Sequence, residues 1–130
     1  MISMMDRATI AVAVLVVLQH LGFFVLETFL WQKPVGMKIF RLTPEKAAIT
    51  APLARNQGVY NAFLAAGILW GLATVAVGGL GYAEFSRAIL TFFFGCVAVA
   101  GFVGALTVNK RIFFVQAVPA LVGLALLILR

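Results

Sequence analysis

Four long apolar stretches, separated by polar or glycine-containing joints, set the pattern of this chain: 8–31, 53–77, 87–108 and 112–129. Each is close to the roughly 20 residues that a helix needs to cross a hydrocarbon core of about 30 Å. The last is the shortest; at about 1.5 Å per residue it still reaches roughly 27 Å. The pattern predicts an all-α fold, an integral membrane four-helix bundle that forms one transmembrane domain over residues 1–130. Residues 32–52 form its long loop. The first stretch ends in Phe-Leu-Trp rather than in a small-residue cleavage site, so it reads as a retained span and not a signal peptide.

The joints carry their own punctuation. Trp31 closes the first stretch as an interfacial anchor, and the apolar residues of the basic segment after it are placed along the headgroup layer. Thr43-Pro44-Glu45 reads as a helix start near residue 44, with Thr43 as the cap and Pro44 at the first helical position. Pro52 then predicts a kink or a break in the second helix. Gly78-Gly79-Leu80-Gly81 ends that helix, Glu84 or Ser86 caps the third, and Asn109-Lys110-Arg111 turns into the fourth. Pro119 should bend the fourth helix by freeing the carbonyl of Val115.

Composition supports the bilayer as solvent. The chain is 64% hydrophobic and 11% charged, whereas a soluble domain has about half its residues apolar and about a quarter charged. The surplus of +6 is distributed asymmetrically. Lys33, Lys38, Arg41, Lys46, Arg55, Lys110 and Arg111 fall on one side, and Arg7, Arg87 and Arg130 on the other. That bias places both basic loops in the cytoplasm and both termini outside, N-out and C-out. It describes a surface facing anionic headgroups, with no nucleic-acid partner. The single cysteine, Cys96, excludes a disulfide framework and a cysteine metal site and reads as a small core residue.

Ionisable and amide side chains inside such stretches are costly and often functional. His20 and Glu27 share a stripe of the first helix but lie about 10 Å apart along its axis, too far to bond to each other. The second helix supplies Asn56, Gln57, Tyr60 and Asn61, and the fourth supplies Gln116. The Asn56/Tyr60 stripe continues through Gly67 and Gly71, which predicts that it faces inward. On the expected topology these groups gather in the cytoplasmic half, with His20 near the midplane. They form the candidate ligand-binding pocket: His20, Glu27, Asn56, Gln57, Tyr60, Asn61 and Gln116. Each also has a plainer reading, such as a Glu27 salt bridge to Arg55 or Lys110, or amides acting as interhelical glue worth about 0.6–2 kcal/mol per bond. Small residues at Gly67/Gly71 and Gly101/Ala105 suit close packing within the chain and also allow a homodimer.

The segments FFVLETFLW, ARNQGVYNAFLAAGILWGL and FGCVAVAGFVGALTVNKRIFFVQAVPALVGLALL resemble a family of small bacterial and fungal membrane proteins filed as domain of unknown function 1304. The resemblance spans nearly the whole chain. Its most specific parts are Asn-Gln-Gly-x-Tyr-Asn and Val-Gln-x-x-Pro. It implies a four-helix integral membrane protein and carries no activity with it. Pro52 falls where the resemblance implies an unbroken helix.

These readings together predict a multi-pass protein of the cell membrane, surrounded by membrane lipids. It would bind a small amphipathic molecule or lipid in a polar pocket open to the cytoplasm. A small proton-coupled transporter using Glu27 and an accessory structural subunit are the alternatives. An enzyme is the least supported class, because no nucleophile–base pair, paired carboxylates, metal-ligand set or cofactor motif is visible; catalytic residues, metal and cofactor are each read as none.

Overall fold

The computed structural model describes residues 7–129. Arg130, counted above with the outer charges, lies outside them. The described residues form helices joined by short turns, with no strand: α1 (Arg7–Thr28), α2 (Pro34–Phe40), α3 (Pro44–Gly78), α4 (Ala83–Thr107) and α5 (Val118–Ile128). A 3-10 turn, Gly79–Tyr82, joins α3 to α4, and a π turn, Phe113–Ala117, leads into α5. By length and composition, two helical stretches suffice to cross a membrane: Arg7–Thr28 and the 64 residues Pro44–Thr107, each holding an 18-residue window of mean hydropathy 2.3; Phe113–Ile128 is a shorter apolar helix.

The chain divides into two compact units, residues 19–63 and the remainder. In the larger unit, α1, α3, α4 and α5 each contribute to one core. Ala13, Val16 and Val17 meet Ala65 and Ile68, Leu90, Phe94 and Val97, and Ala120 and Leu127. This unit is a four-helix bundle. Its close approaches run through glycine. A Cβ at Gly71 would lie 2.7 Å from Leu90, and one at Gly123 would lie 2.7 Å from the Phe94 ring. Gly67 likewise has no room beyond its backbone against Phe93. Gly67 and Gly71 therefore pack within the chain.

Polar side chains in this unit bond to backbone groups. Ser86 is not a cap: α4 starts at Ala83, and the buried Ser86 hydroxyl donates to the Gly71 carbonyl at 2.6 Å. Arg87 donates to the Leu127 carbonyl in the last turn of α5, one of the carbonyls that a helix end leaves without a partner. Asn109 accepts from the Arg111 N–H at 2.9 Å and shapes the turn before the last helix. Just before Pro119 the chain forms a π turn in place of a regular α-helical one. The Val118 N–H reaches back five residues to the Phe113 carbonyl, a widened turn that a helix uses where its ordinary ladder is interrupted.

The smaller unit holds the end of α1, α2 and the first part of α3. α1 stops at Thr28, three residues before Trp31. The segment after it contains a helix that the apolar pattern did not reveal. Pro34 sits in its first turn, where a missing N–H costs nothing. Arg41 ends it in the left-handed conformation (φ 53°), and Leu42 N–H bonds to the Met37 carbonyl. Gly36 is required here, because a Cβ would strike the Leu30 carbonyl.

Thr43 caps α3 as expected, its hydroxyl accepting from Lys46 N–H at 3.2 Å. α3 continues unbroken through Pro52. Pro52 and Ala48, whose carbonyl loses its helical donor, are both exposed, so that carbonyl is not trapped without a partner. Replacing Pro52 with alanine restores the bond without a buried rearrangement. Pro52→Ala is expected to stabilise the fold by about 1–3 kcal/mol, read as a higher midpoint in denaturant.

Candidate functional site

Within the smaller unit, α1 and α3 approach each other through Gly58. A Cβ at that position would meet the Thr28 hydroxyl, the Phe24 carbonyl at 3.1 Å and the Glu27 Cβ at 3.2 Å. One turn along, Asn61 Nδ2 donates to Glu27 Oε2 at 2.7 Å. Asn61 is buried and Glu27 half-buried. The carboxyl group thus finds a neutral amide from the facing helix. Among the described residues it makes no ion pair with Arg55 or Lys110. Glu27 and Asn61, two members of the predicted set, are joined by this direct hydrogen bond.

The others are placed differently. His20 is fully buried, with its ring edge-on to Phe23 at 5.7 Å. Asn56 and Gln57 are exposed, and Tyr60 is 55% exposed, with its ring against Phe63. Gln116 lies in the π turn of the larger unit, partly buried. The Asn56/Tyr60 stripe therefore does not face inward. The buried stripe of α3 in this unit is Ala47, Ala51, Ala54, Gly58 and Asn61.

The stripe was misread because α3 buries different faces in its two halves. Gly67 and Gly71 meet α4, whereas Gly58 meets α1. Nine residues separate Gly58 from Gly67, about half a turn out of phase at 100° per residue. The signal that points the right way is the recurrence of small residues at 47, 51, 54 and 58, leading to a single amide at 61.

Beside this contact is a feature that the sequence did not suggest. Thr28, Phe29, Trp31, Gln32, Lys33, Ala51 and Arg55 line a half-open hollow of about 240 Å³. Its Trp31 wall is fixed: the indole N–H donates to the Thr50 hydroxyl at 3.0 Å, that hydroxyl donates to the Lys46 carbonyl at 2.7 Å, and the ring packs on Phe40. Thr28 Oγ1 is buried and, among the described residues, has no hydrogen-bond partner.

Comparison with known proteins agrees with the motifs. The family model described as "Protein of unknown function (DUF1304)" matches residues 14–128. No curated protein and no solved structure matches the chain. With its matched region running from early in α1 to the last turn of α5, the chain belongs to the DUF1304 family.

Proposed function

We propose that this is a multi-pass protein of the cell membrane that binds a small amphipathic molecule or lipid beside Glu27 and Asn61. The observation that carries the reading is the Glu27–Asn61 hydrogen bond. A carboxyl group in an apolar helix, held by a facing amide, is the kind of costly feature that membrane proteins keep for function.

Burial supports the membrane setting. Only 28% of the most apolar window of each long helical stretch is buried inside the protein, whereas the core helix of a soluble protein is mostly buried. Leu18, Phe92 and Leu106 are all more than 60% exposed, which suits contact with lipid chains. The seven-to-three charge bias favours four spans with both termini outside and the basic loops in the cytoplasm.

Two measurements test this. In a Cys96→Ala background, single cysteines replacing Lys38 or Lys110 should resist a membrane-impermeant maleimide in intact cells, and one replacing Gly81 should react. The reverse pattern would overturn the orientation. For binding, native mass spectrometry of protein released in mild detergent should show an amphipathic species retained by the wild type. Asn61→Leu should reduce that retention roughly tenfold; equal retention by both would remove the pocket.

A further inference from the structure

We propose that the hollow between Trp31 and Arg55 is a binding site for a phosphate group, with Lys33 and Arg55 as its cations. Both residues line the hollow, and neither makes an ion pair among the described residues. Nearby Glu27 is engaged with Asn61, so no carboxylate in the hollow competes for them. Lysine supplies a compact point charge, and arginine a planar fork matched to two phosphate oxygens.

The other walls fit the same ligand. Gln32 adds a neutral amide donor, and Trp31 is held in place by Thr50 and Phe40. Thr28 also lines the hollow, and among the described residues its buried hydroxyl has no hydrogen-bond partner. Size decides between ligand classes. At about 240 Å³ the hollow is smaller than the roughly 300–1,000 Å³ of sites that enclose drug-sized molecules. It accommodates a headgroup or a free phosphate compound, not a whole amphiphile. The proposal rests on the lipid-binding reading for one source of that group and names the ligand's charged end.

Trp31 is one of two tryptophans, so Trp70→Phe makes its fluorescence a probe of the hollow. The protein is placed in phosphatidylcholine nanodiscs with a minor fraction of lipid brominated on its acyl chains, either phosphatidylglycerol or phosphatidylcholine. Brominated phosphatidylglycerol is expected to quench Trp31 several-fold more than brominated phosphatidylcholine. Lys33→Gln/Arg55→Gln should abolish that excess. Lys38→Gln/Lys46→Gln, which removes two charges from the same segment outside the hollow, should keep it.

In a second arm, inorganic phosphate and glycerol phosphate are titrated into nanodiscs of phosphatidylcholine alone. A saturable change in Trp31 emission, lost in Lys33→Gln/Arg55→Gln, supports the site with a free phosphate compound as its ligand even where the lipid arm is silent. Silence in both arms overturns the proposal. So does equal loss in the two double variants, which would reduce the effect to diffuse attraction by basic residues. Glu27→Gln leaves the hollow's own residues intact and should keep the response, so a failed Glu27–Asn61 pocket and a failed phosphate site give different results.

Discussion

Gly101→Val is expected to separate α4 from the last helix and to destabilise the protein by about 1–3 kcal/mol or more. The reason is the nature of the atoms opposite. A Cβ at position 101 would lie 2.6 Å from the Ala117 nitrogen, 2.8 Å from its Cβ and 2.9 Å from its Cα. A flexible side-chain tip could swing away; the backbone of a facing helix cannot. The helices would have to part, and the contacts of Phe94 with Gly123 and of Gly104 with Ile112 would loosen with them. Gly95→Val, on the same helix, is the control, because nothing lies within 4 Å of its Cβ position. It should stay within about 0.5 kcal/mol of the wild type. Unfolding in detergent, followed by circular dichroism, reads both. Equal midpoints for the two variants would show that the α4 contact is looser than described.

Asn61→Leu is expected to cost about 1–3 kcal/mol, because it strips a partly buried carboxyl group of the partner that the structure gives it. Leucine keeps the branching and heavy-atom count of asparagine, although its methyl groups are bulkier in the stripe of small residues that Asn61 shares with Gly58 and Ala65. What matters is a polar group left facing apolar neighbours. Glu27→Gln should be milder, since its amide oxygen still accepts from Asn61. Glu27→Leu/Asn61→Leu should recover much of the loss, because a pair removed together leaves nothing unsatisfied. A double-mutant cycle on unfolding midpoints isolates the coupling. A cycle with no coupling would mean that the hydrogen bond contributes nothing to the fold.

Much of the helical layout was readable from the chain because its signals are local. Apolar run length marks α1, α3 and α4 as long helices and the last run as a shorter one, Thr43-Pro44 marks the start of α3, and the π turn lies just before Pro119. α2 was not read because seven residues with a glycine inside make a weak helix by propensity. It is held instead by Pro34 at one end and the left-handed Arg41 at the other. Ser86 looked like a cap because serine usually is one; only the nearness of Gly71 shows that its hydroxyl has another acceptor.

The candidate site was half legible. Glu27 and Asn61 stood out as polar groups in apolar company, and the structure joins them. Asn56 and Tyr60 stood out equally and point elsewhere, since a sequence gives the faces of a helix but not which neighbour covers each one. The hollow was invisible for a related reason: its residues come from the end of α1, the segment after it and the third and fourth turns of α3, and none is unusual alone.

The π turn bears on how this chain tolerates changes in length. Phe113–Ala117 spends one more residue on its turn than an α-helix would. A deletion within Val118–Ile128 would rotate every residue on one side of it by about 100°, carrying Gly123 and Leu127 out of register with Phe94 and the core. A deletion inside the π turn can instead be absorbed by closing it to an α turn, with the residues after it still in phase. The widened turn is therefore a slack point in the last helix, where the chain can lose a residue without rewriting the surface it packs against.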